Sequence, residues 1–346
     1  MQNERNAIVW FCLLLVPVAV GATESPQDRA KIAQASLAEF ANPIGALESP
    51  DPFVTWDSET GYYYLLYTRW TDLCIYRSRT IGGLRDGENR VFYTPREEDG
   101  VFGNIWAPEM HRAPNGKWYV YTSGSDTKEW GPKRLLVFES KTHDPFDGFV
   151  FRGKPAPDIF AIDPTVFTAE DGIQYVCYSE VKPERGQVLV IREMRNPWTF
   201  SQRQAEIAHA ELPWELIDAR INEGAFFVRS PDRRRLFIVY SANGCWCDDY
   251  ALGVLEHVGG DLCAAKNWRK SSKPLLVKSK KVFGPGHASF FSSPNGETLW
   301  CAYHALRASN PSRRPTTRWL NVQRVDFDGT GYPVMCAAGE DDRRTR

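Results

Sequence analysis

The amino-acid sequence predicts an all-β fold, and within that class a five-bladed β-propeller. Three observations lead to this prediction: one strand motif recurs five times, strand-like runs follow each copy, and long amphipathic helices are nearly absent. A β-sandwich is the alternative all-β architecture. A sandwich does not predict regular repetition of one strand motif, so the repetition favours the propeller.

The repeated motif is a turn followed by an aromatic-rich strand that ends in tyrosine. Its five copies are Gly61–Tyr67, Gly116–Tyr121, Gly172–Tyr178, Arg235–Tyr240 and Gly296–Tyr303. Successive final tyrosines are 54, 57, 62 and 63 residues apart. A unit of this length is too long for one rung of a solenoid and suits a four-stranded blade with long loops. Each copy is therefore interpreted as part of one blade.

The remaining elements follow from the same reading of the chain. Further strand-like runs lie at Asp72–Tyr76, Arg134–Phe138, Gln187–Ile191, Tyr250–Leu255 and Leu320–Val325. One helix is expected, at Gln27–Phe40. A single propeller fills residues 42–336, between an N-terminal segment at 23–41 and a charged tail at 337–346. We expect the blades to close by pairing an N-terminal strand into the last sheet.

Residues 1–22 have the pattern of a signal peptide. Arg5 lies in a polar start, and an apolar run covers Ala7–Ala22 and ends in small residues. An uncleaved anchor is the alternative, but the run is short for a membrane span. The mature protein is therefore expected to be secreted, either extracellular or periplasmic, and not bound to a membrane.

Composition narrows the class of partner. The 346 residues carry a formal net charge of -1, which favours neither a nucleic acid nor an anionic membrane. The aromatic content of 13%, with 12 Trp, is high. Tryptophan and tyrosine fill β-rich cores and stack on sugar faces. A neutral carbohydrate is the partner that this composition suits, and the oligomeric state stays open.

A distinctive side chain precedes each final tyrosine by 15–17 residues. These residues are Asp51, Trp106, Asp163, Glu223 and His287. Singly, each has a structural explanation; an aspartate beside proline, for example, is commonly a turn former. The first strand of a propeller blade lines the central axis, so residues at one phase converge on one cavity. The shared phase therefore predicts a functional site made of three carboxylates, an imidazole and an indole.

Three converging carboxylates are suited to hydrolysis of a glycosidic bond. This reaction needs a protonated acid for the leaving oxygen and a base or nucleophile on the other face of the sugar. Crowded carboxylates repel one another, so that one stays protonated at neutral pH. The sequence has no Gly-rich phosphate loop, no Gly-x-Ser-x-Gly elbow and no His-rich metal motif. These absences disfavour the common alternative chemistries.

At these positions the sequence resembles glycoside hydrolase family 43, over about residues 42–330. The resemblance rests on an ordered set of short motifs: Asp51-Pro52 before Tyr62-Tyr63-Tyr64, Trp106-Ala107-Pro108-Glu109, Ile162-Asp163-Pro164-Thr165, Asn222-Glu223-Gly224 and Gly284-Pro285-Gly286-His287. It implies a five-bladed propeller that hydrolyses with inversion. Asp51 would be the general base, Glu223 the general acid, and Asp163 the residue that orients the acid and adjusts its pKa.

The same resemblance implies the residues around the substrate. Trp106, His287 and Arg318 would contact the sugar, and His287 would lie near a structural Ca²⁺. The chemistry itself would require no cofactor.

Among family members, the contexts of Trp106-Ala107-Pro108-Glu109 and Asp248-Asp249-Tyr250-Ala251-Leu252-Gly253 are most similar to arabinofuranosidases. The first hypothesis is therefore an exo-acting α-L-arabinofuranosidase that releases arabinose from plant-type polysaccharides or oligosaccharides. A β-xylosidase or an arabinan hydrolase of the same family is the nearest alternative. A non-catalytic sugar-binding propeller and a structural partner-binding propeller are alternatives from other classes.

Overall fold

The structure is a computed structural model that describes residues 24–128, 131–314 and 316–340. The predicted signal peptide, and all of the predicted tail beyond residue 340, lie outside the described residues. Within these ranges, no helix is long and apolar enough to span a bilayer.

Five four-stranded antiparallel sheets form the molecule, which confirms the predicted five-bladed propeller. Each sheet takes four consecutive strands. Blade 1 contains β1 (Phe53–Asp57), β2 (Tyr62–Leu66), β3 (Leu73–Ser78) and β4 (Glu88–Tyr93). Blade 2 contains β5 (Trp106–Arg112), β6 (Trp118–Ser125), β7 (Lys133–Ser140) and β8 (Phe149–Gly153). Blade 3 contains β9 (Ala161–Thr168), β10 (Gln174–Lys182), β11 (Gly186–Asn196) and β12 (Thr199–His209).

The last two blades follow the same order. Blade 4 contains β13 (Asn222–Arg229), β14 (Leu236–Ala242), β15 (Ala251–His257) and β16 (Trp268–Lys270). Blade 5 contains β17 (Phe283–Ser292), β18 (Leu299–Leu306), β19 (Trp319–Phe327) and β20 (Pro333–Val334). Short 3₁₀ turns lie at Leu84–Asp86, Glu97–Asp99, Pro145–Asp147, Pro213–Glu215 and Ala265–Asn267.

Each copy of the repeated motif supplies the second strand of its blade. That strand is enclosed by two sheet partners and by the neighbouring blades, and every residue of β6 and of β14 is buried. A strand buried on both faces needs apolar and aromatic side chains at successive positions, which explains the density of the motif. The five runs that follow the copies form the third strands. The repeat therefore indicated both the number and the order of the blades.

The expected helix is present as α1 (Pro26–Glu39). Ser25 caps its N-terminus by accepting a hydrogen bond from the Asp28 N–H, and Pro26 follows at the first helical position. Ala33 and Leu37 are buried one turn apart, in a cluster that also contains side chains of blades 1 and 5. The helix thus covers the junction between the first and last blades.

The propeller does not close as the sequence analysis expected. Among the residues that the structure describes, the sheet of blade 5 contains only β17 to β20, so no strand from residues 24–52 enters it. Instead, residues 42–49 lie along the edge of β19, where the Ile44 N–H donates to Leu320 and the Ser49 N–H to Arg318. Pro43 and Pro50 have no N–H to donate, which limits this segment to isolated hydrogen bonds rather than a regular ladder.

Candidate active site

A cavity of about 510 Å³ lies where the first strands of the five blades meet. All six residues that the sequence analysis assigned to the site line it: Asp51, Trp106, Asp163, Glu223, His287 and Arg318. Its walls also contain apolar and aromatic side chains, among them Trp70, Phe160 and Trp246. The volume is in the range of small-ligand pockets, and the lining suits a ligand with both apolar faces and polar groups.

A left-handed residue occurs in every blade beside this cavity. The five residues, with φ between 43° and 55°, are Asp51, Ala107, Asp163, Gly224 and His287. In four blades the pairing of the first two strands shifts register at this point, as at a β-bulge. In blades 2 and 4 the left-handed residue is one position after the residue found by counting back from the final tyrosine of the repeat. Trp106 and Glu223 are thus one residue out of phase with Asp51, Asp163 and His287, although all five reach the same cavity.

Gly224 meets two requirements at once. Its φ of 54° disfavours a side chain, and a Cβ atom there would lie 3.1 Å from the ring of His287. A glycine after Glu223 therefore allows the first strands of blades 4 and 5 to approach each other closely. This approach places Glu223 and His287 in one cluster.

Asp51 is buried among positive and hydrogen-bonding groups. Its Oδ1 accepts a hydrogen bond from Arg318 Nη1 at 2.7 Å, and its Oδ2 accepts one from Thr68 Oγ1 at 2.6 Å. The His287 Nδ1 atom lies 3.3 Å from Oδ1. Burial alone would raise the pKa of this carboxyl group, but the charges of Arg318 and His287 hold its pKa well below the usual range. Asp51 is therefore ionised at neutral pH.

Asp163 and Glu223, unlike Asp51, have pKa values that are raised and so favour their protonated forms. Burial raises the pKa of Asp163 well above its ordinary value, and the charges of Glu223 and Asp51 raise it further. Burial also raises the pKa of Glu223 to about 7, although a hydrogen bond from Tyr250 lowers it. The two carboxyl groups are close neighbours, so the pair retains at least one proton at neutral pH. One cavity thus holds an ionised carboxylate and a protonated carboxyl group.

The structure adds residues that the sequence analysis missed. A hydrogen-bonding side chain follows the final tyrosine of every repeat: Thr68, Thr122, Ser179, Ser241 and His304. Four of these bond across a blade junction: Thr68 accepts from the Ala107 N–H, Ser179 donates to the Asn222 carbonyl, Ser241 accepts from the His287 N–H and His304 accepts from the Asp51 N–H. Thr122 instead donates to the Trp106 carbonyl of its own blade. Counting one residue beyond each tyrosine would have found this ring.

Two further residues reach the site from outside the repeats. Tyr250 donates a hydrogen bond to Glu223 Oε1 at 2.8 Å, and Cys245 lines the cavity beside Trp246. The sequence analysis used Tyr250 in a strand-like run and in a motif for substrate specificity, but did not assign it to the site. Its contact with Glu223 depends on how blade 4 folds, which a count along the chain cannot show.

Asp163, Glu223 and His287 form the one group of potential metal ligands found within the described ranges. One ligand atom of each lies within 4.8 Å of the others. Ca²⁺ takes six to eight oxygen ligands, whereas this group offers two carboxylates and a nitrogen. The group therefore does not fit a protein-built calcium site, and a metal bound there would compete with the proton held by the carboxyl pair.

A paired carboxylate and carboxylic acid in a sugar-sized cavity can hydrolyse a glycosidic bond by general acid and base catalysis. Fold and site together thus define a propeller enzyme of the glycosidase class. The comparisons with known proteins narrow this class. The protein-family model for Glycosyl hydrolases family 43 matches residues 40–333, so the chain belongs to this family.

Relatives of known activity are similar over most of the chain. The extracellular exo-alpha-(1->5)-L-arabinofuranosidase of Streptomyces avermitilis is 30% identical over 344 residues, covering 95% of this chain and 70% of the relative. The enzyme of the same description from Streptomyces chartreusis is 31% identical over 277 residues, covering 78% and 83%. The crystal structure of alpha-L-arabinofuranosidase from Lactobacillus brevis has a TM-score of 0.78 at 28% identity, covering 86% of this chain and 97% of that one.

Proposed function

We propose that this protein is a secreted, inverting, exo-acting α-L-arabinofuranosidase that releases arabinose from plant-type polysaccharides or oligosaccharides. The observation that supports its chemistry best is the contrasting surroundings of two carboxyl groups in one cavity: Arg318 bonds to Asp51 and holds its pKa low, whereas burial raises the pKa of Glu223. A general base has to be ionised and a general acid has to be protonated at the same pH. The charges around Asp51 and the burial of Glu223 meet both requirements.

In the proposed reaction, Asp51 accepts a proton from water while the water oxygen bonds to the anomeric carbon. The bond from that carbon to the leaving oxygen breaks, and this oxygen takes the proton of Glu223. Asp163 accepts the Gly224 N–H at 3.2 Å and so is tied to the strand that carries the acid. Its negative charge, when present, favours the protonated form of Glu223. Trp106, His287 and Arg318 would contact the sugar from the cavity wall.

The substrate part of the proposal rests on the relatives. Both Streptomyces enzymes are described as exo-alpha-(1->5)-L-arabinofuranosidases and as extracellular. The apolar run at Ala7–Ala22 supports export of this chain as well. Fractionating a culture of its host would test export, and retention of the protein inside the cells would contradict it. Sequencing the N-terminus of the exported protein would test cleavage, and an intact N-terminus at Met1 would contradict that cleavage.

The decisive experiment compares substrates on the purified mature protein. We expect release of 4-nitrophenol from the α-L-arabinofuranoside and release of arabinose from arabinan. Activity on the β-D-xyloside or on xylan alone would instead identify a β-xylosidase, and oligomeric products from arabinan an endo-acting hydrolase. Sugar binding without turnover on any of the four would overturn the proposal in favour of a binding protein. NMR of the first product anomer tests inversion.

The pH dependence of kcat/KM follows from the two carboxyl groups. Activity requires Glu223 protonated, so the rate should fall as the pH rises through about 7, the pKa of its carboxyl group. It also requires Asp51 ionised, and because the pKa of Asp51 is held below its usual range, the acid limb should lie well below pH 4. We therefore expect a broad plateau on the acid side of neutrality. A rate that rises through pH 7 would contradict this assignment of acid and base.

Metal removal is expected to leave the chemistry intact. Asp163 and Glu223 are proposed to hold a proton, so the reaction needs no cation at the position between them and His287. Dialysis against EDTA should change kcat by less than twofold, while excess divalent cation should inhibit by competing with the proton. A large loss of kcat that Ca²⁺ restores would show instead that calcium is required.

A further inference from the structure

The proposed acid is held by one of its two oxygen atoms. Tyr250 donates its hydroxyl hydrogen to Glu223 Oε1 over 2.8 Å. Both side chains are buried, Tyr250 completely. Burial raises the pKa of the Tyr250 hydroxyl well above its ordinary value, so this group stays protonated and acts as a donor. Because the carbonyl oxygen of a protonated carboxyl group is its better acceptor, this hydrogen bond to Oε1 favours Oε2 as the site of the proton that Glu223 transfers.

The Tyr250 ring is fixed from two sides. It stacks on the ring of His304, with centroids 5.4 Å apart and planes inclined by only 5°. On the other strand, Gly286 leaves room for it, because a Cβ atom there would lie 2.2 Å from a carbon of the Tyr250 ring. A stacked and enclosed ring has little freedom to rotate. The direction of its hydroxyl group is therefore set by blade 5 as well as by blade 4.

His304 connects the same stack to the proposed base. Its Nδ1 atom accepts the backbone N–H of Asp51 at 3.1 Å, across the junction of blades 5 and 1. Burial lowers the pKa of His304 to about 3, so the ring is neutral and Nδ1 is free to accept a hydrogen bond. The same Nδ1 atom lies 3.2 Å from Asp51 Oδ1. One stacked pair thus contacts the side chain of the acid and both the backbone and the carboxylate of the base.

We propose that Tyr250 and His304 form a positioning pair that fixes the transferable proton on Glu223 Oε2 and sets the position of Glu223 relative to Asp51. This inference rests on the proposed roles of these two carboxyl groups. In an inverting hydrolase the separation of acid and base determines whether a water molecule fits between them. The pair would thus act on the chemical step and not on sugar affinity.

The first test is Tyr250→Phe, which keeps the stacked ring and removes the hydroxyl group. In the wild type, the Tyr250 hydrogen bond favours the ionised form of Glu223. Removing it should therefore raise the pKa of Glu223 and move the alkaline limb of kcat/KM up by about one pH unit. We expect kcat to fall roughly tenfold with KM within twofold, since the hydrogen bond stabilises the negative charge that Glu223 develops as it gives up its proton.

Tyr178→Phe is the matched control. This tyrosine is equally buried and ends the third repeat, but its hydroxyl group bonds to Gln204 rather than to a carboxyl group of the cavity. The alkaline limb of kcat/KM for Tyr178→Phe should stay at its wild-type pH. If both variants leave the limb and kcat unchanged while wild-type turnover is normal, the positioning pair is overturned and the proposed function stands.

A second comparison tests the stack. His304→Ala removes the ring that supports Tyr250 and should move the alkaline limb in the same direction as Tyr250→Phe. His304→Phe keeps an aromatic face and should leave the limb near its wild-type position. If the alkaline limb of kcat/KM lies at the same pH in wild type, His304→Ala and His304→Phe, the stack does not position the acid. If the alanine variant fails to fold, the limb of His304→Phe decides: a shift as large as that of Tyr250→Phe would overturn the stacking argument.

A measurement without substrate separates this inference from the proposed function. Difference infrared spectroscopy of wild type minus Glu223→Gln gives the titration of the Glu223 carboxyl group directly. Repeating it in the Tyr250→Phe background should show the titration at higher pH even if no pentoside is cleaved. An unchanged titration would overturn the inference whatever the substrate proves to be.

Discussion

Glu223→Gln is expected to lower kcat by about 10²–10⁴-fold on substrates with poor leaving groups, the range typical of a lost general acid. Glutamine preserves the shape of the side chain and can still accept the Tyr250 hydrogen bond, but it has no proton of suitable pKa to give. Arabino-oligosaccharides depend on that proton, whereas 4-nitrophenolate leaves without full protonation. The loss should therefore be much smaller on the 4-nitrophenyl glycoside than on the oligosaccharide.

Two controls accompany this variant. Sugar affinity, measured by calorimetry, should change little, because the variant removes chemistry and not the cavity. Glu180→Gln changes a glutamate of blade 3 that does not line the cavity, and it should retain wild-type kcat. Equal losses on both leaving groups would argue against Glu223 as the acid, and retained activity on oligosaccharides would exclude it.

Glu215→Ala should cause the largest loss of stability, about 3–5 kcal/mol in the free energy of unfolding, as for other broken buried ion pairs. The Glu215 side chain is completely buried and accepts hydrogen bonds from Lys270 Nζ at 3.0 Å and from the Tyr240 hydroxyl at 2.8 Å. It also accepts the Asn222 side-chain amide at 3.1 Å. Removing the carboxylate leaves the Lys270 ammonium group in the interior with only the more exposed Glu211 carboxylate, at 3.7 Å, as a counter-charge. Denaturant unfolding followed by fluorescence measures the difference.

The double variant Glu215→Met/Lys270→Met distinguishes the cost of an unpaired charge from the loss of packing. It removes both charges and fills the space with apolar atoms, so it should be more stable than Glu215→Ala. If the double variant is instead the least stable of the three proteins, the ion pair itself stabilises the fold. A loss below 1 kcal/mol in Glu215→Ala would show that water replaces the missing carboxylate.

The blades were predictable because their signal is local. Each repeat combines a turn with a strand buried on both faces, and such a strand is dense in aromatic and β-branched residues wherever it occurs. The recurrence of that pattern at the final tyrosines was sufficient to number the blades. The helix α1 was predictable for a similar reason, since its cap at Ser25 and its first-turn Pro26 are sequence signals.

The details of the site were less accessible because they depend on contacts between distant residues. The bulges that displace Trp106 and Glu223 by one residue depend on strand pairing, and counting along the chain does not reveal them. The contact of Tyr250 with His304 joins two blades through ring stacking, which leaves no spacing pattern. The closure at residues 42–49 was predicted wrongly, since the sequence shows that a partner for the last blade is needed but not what form it takes.

The left-handed residues around the cavity bear on how this site could change during evolution. A residue other than glycine in that conformation costs of order 1–3 kcal/mol where the surroundings enforce it. Backbone conformation alone would therefore favour glycine in place of Asp51, Asp163 and His287, but glycine at position 51 would also leave the buried Arg318 guanidinium without its carboxylate partner. Blade 4 shows the alternative arrangement, because Gly224 occupies the left-handed place and the carboxylate of Glu223 precedes it. The acid thus avoids a conformational cost that the proposed base bears, and the base offsets that cost through its buried ion pair with Arg318.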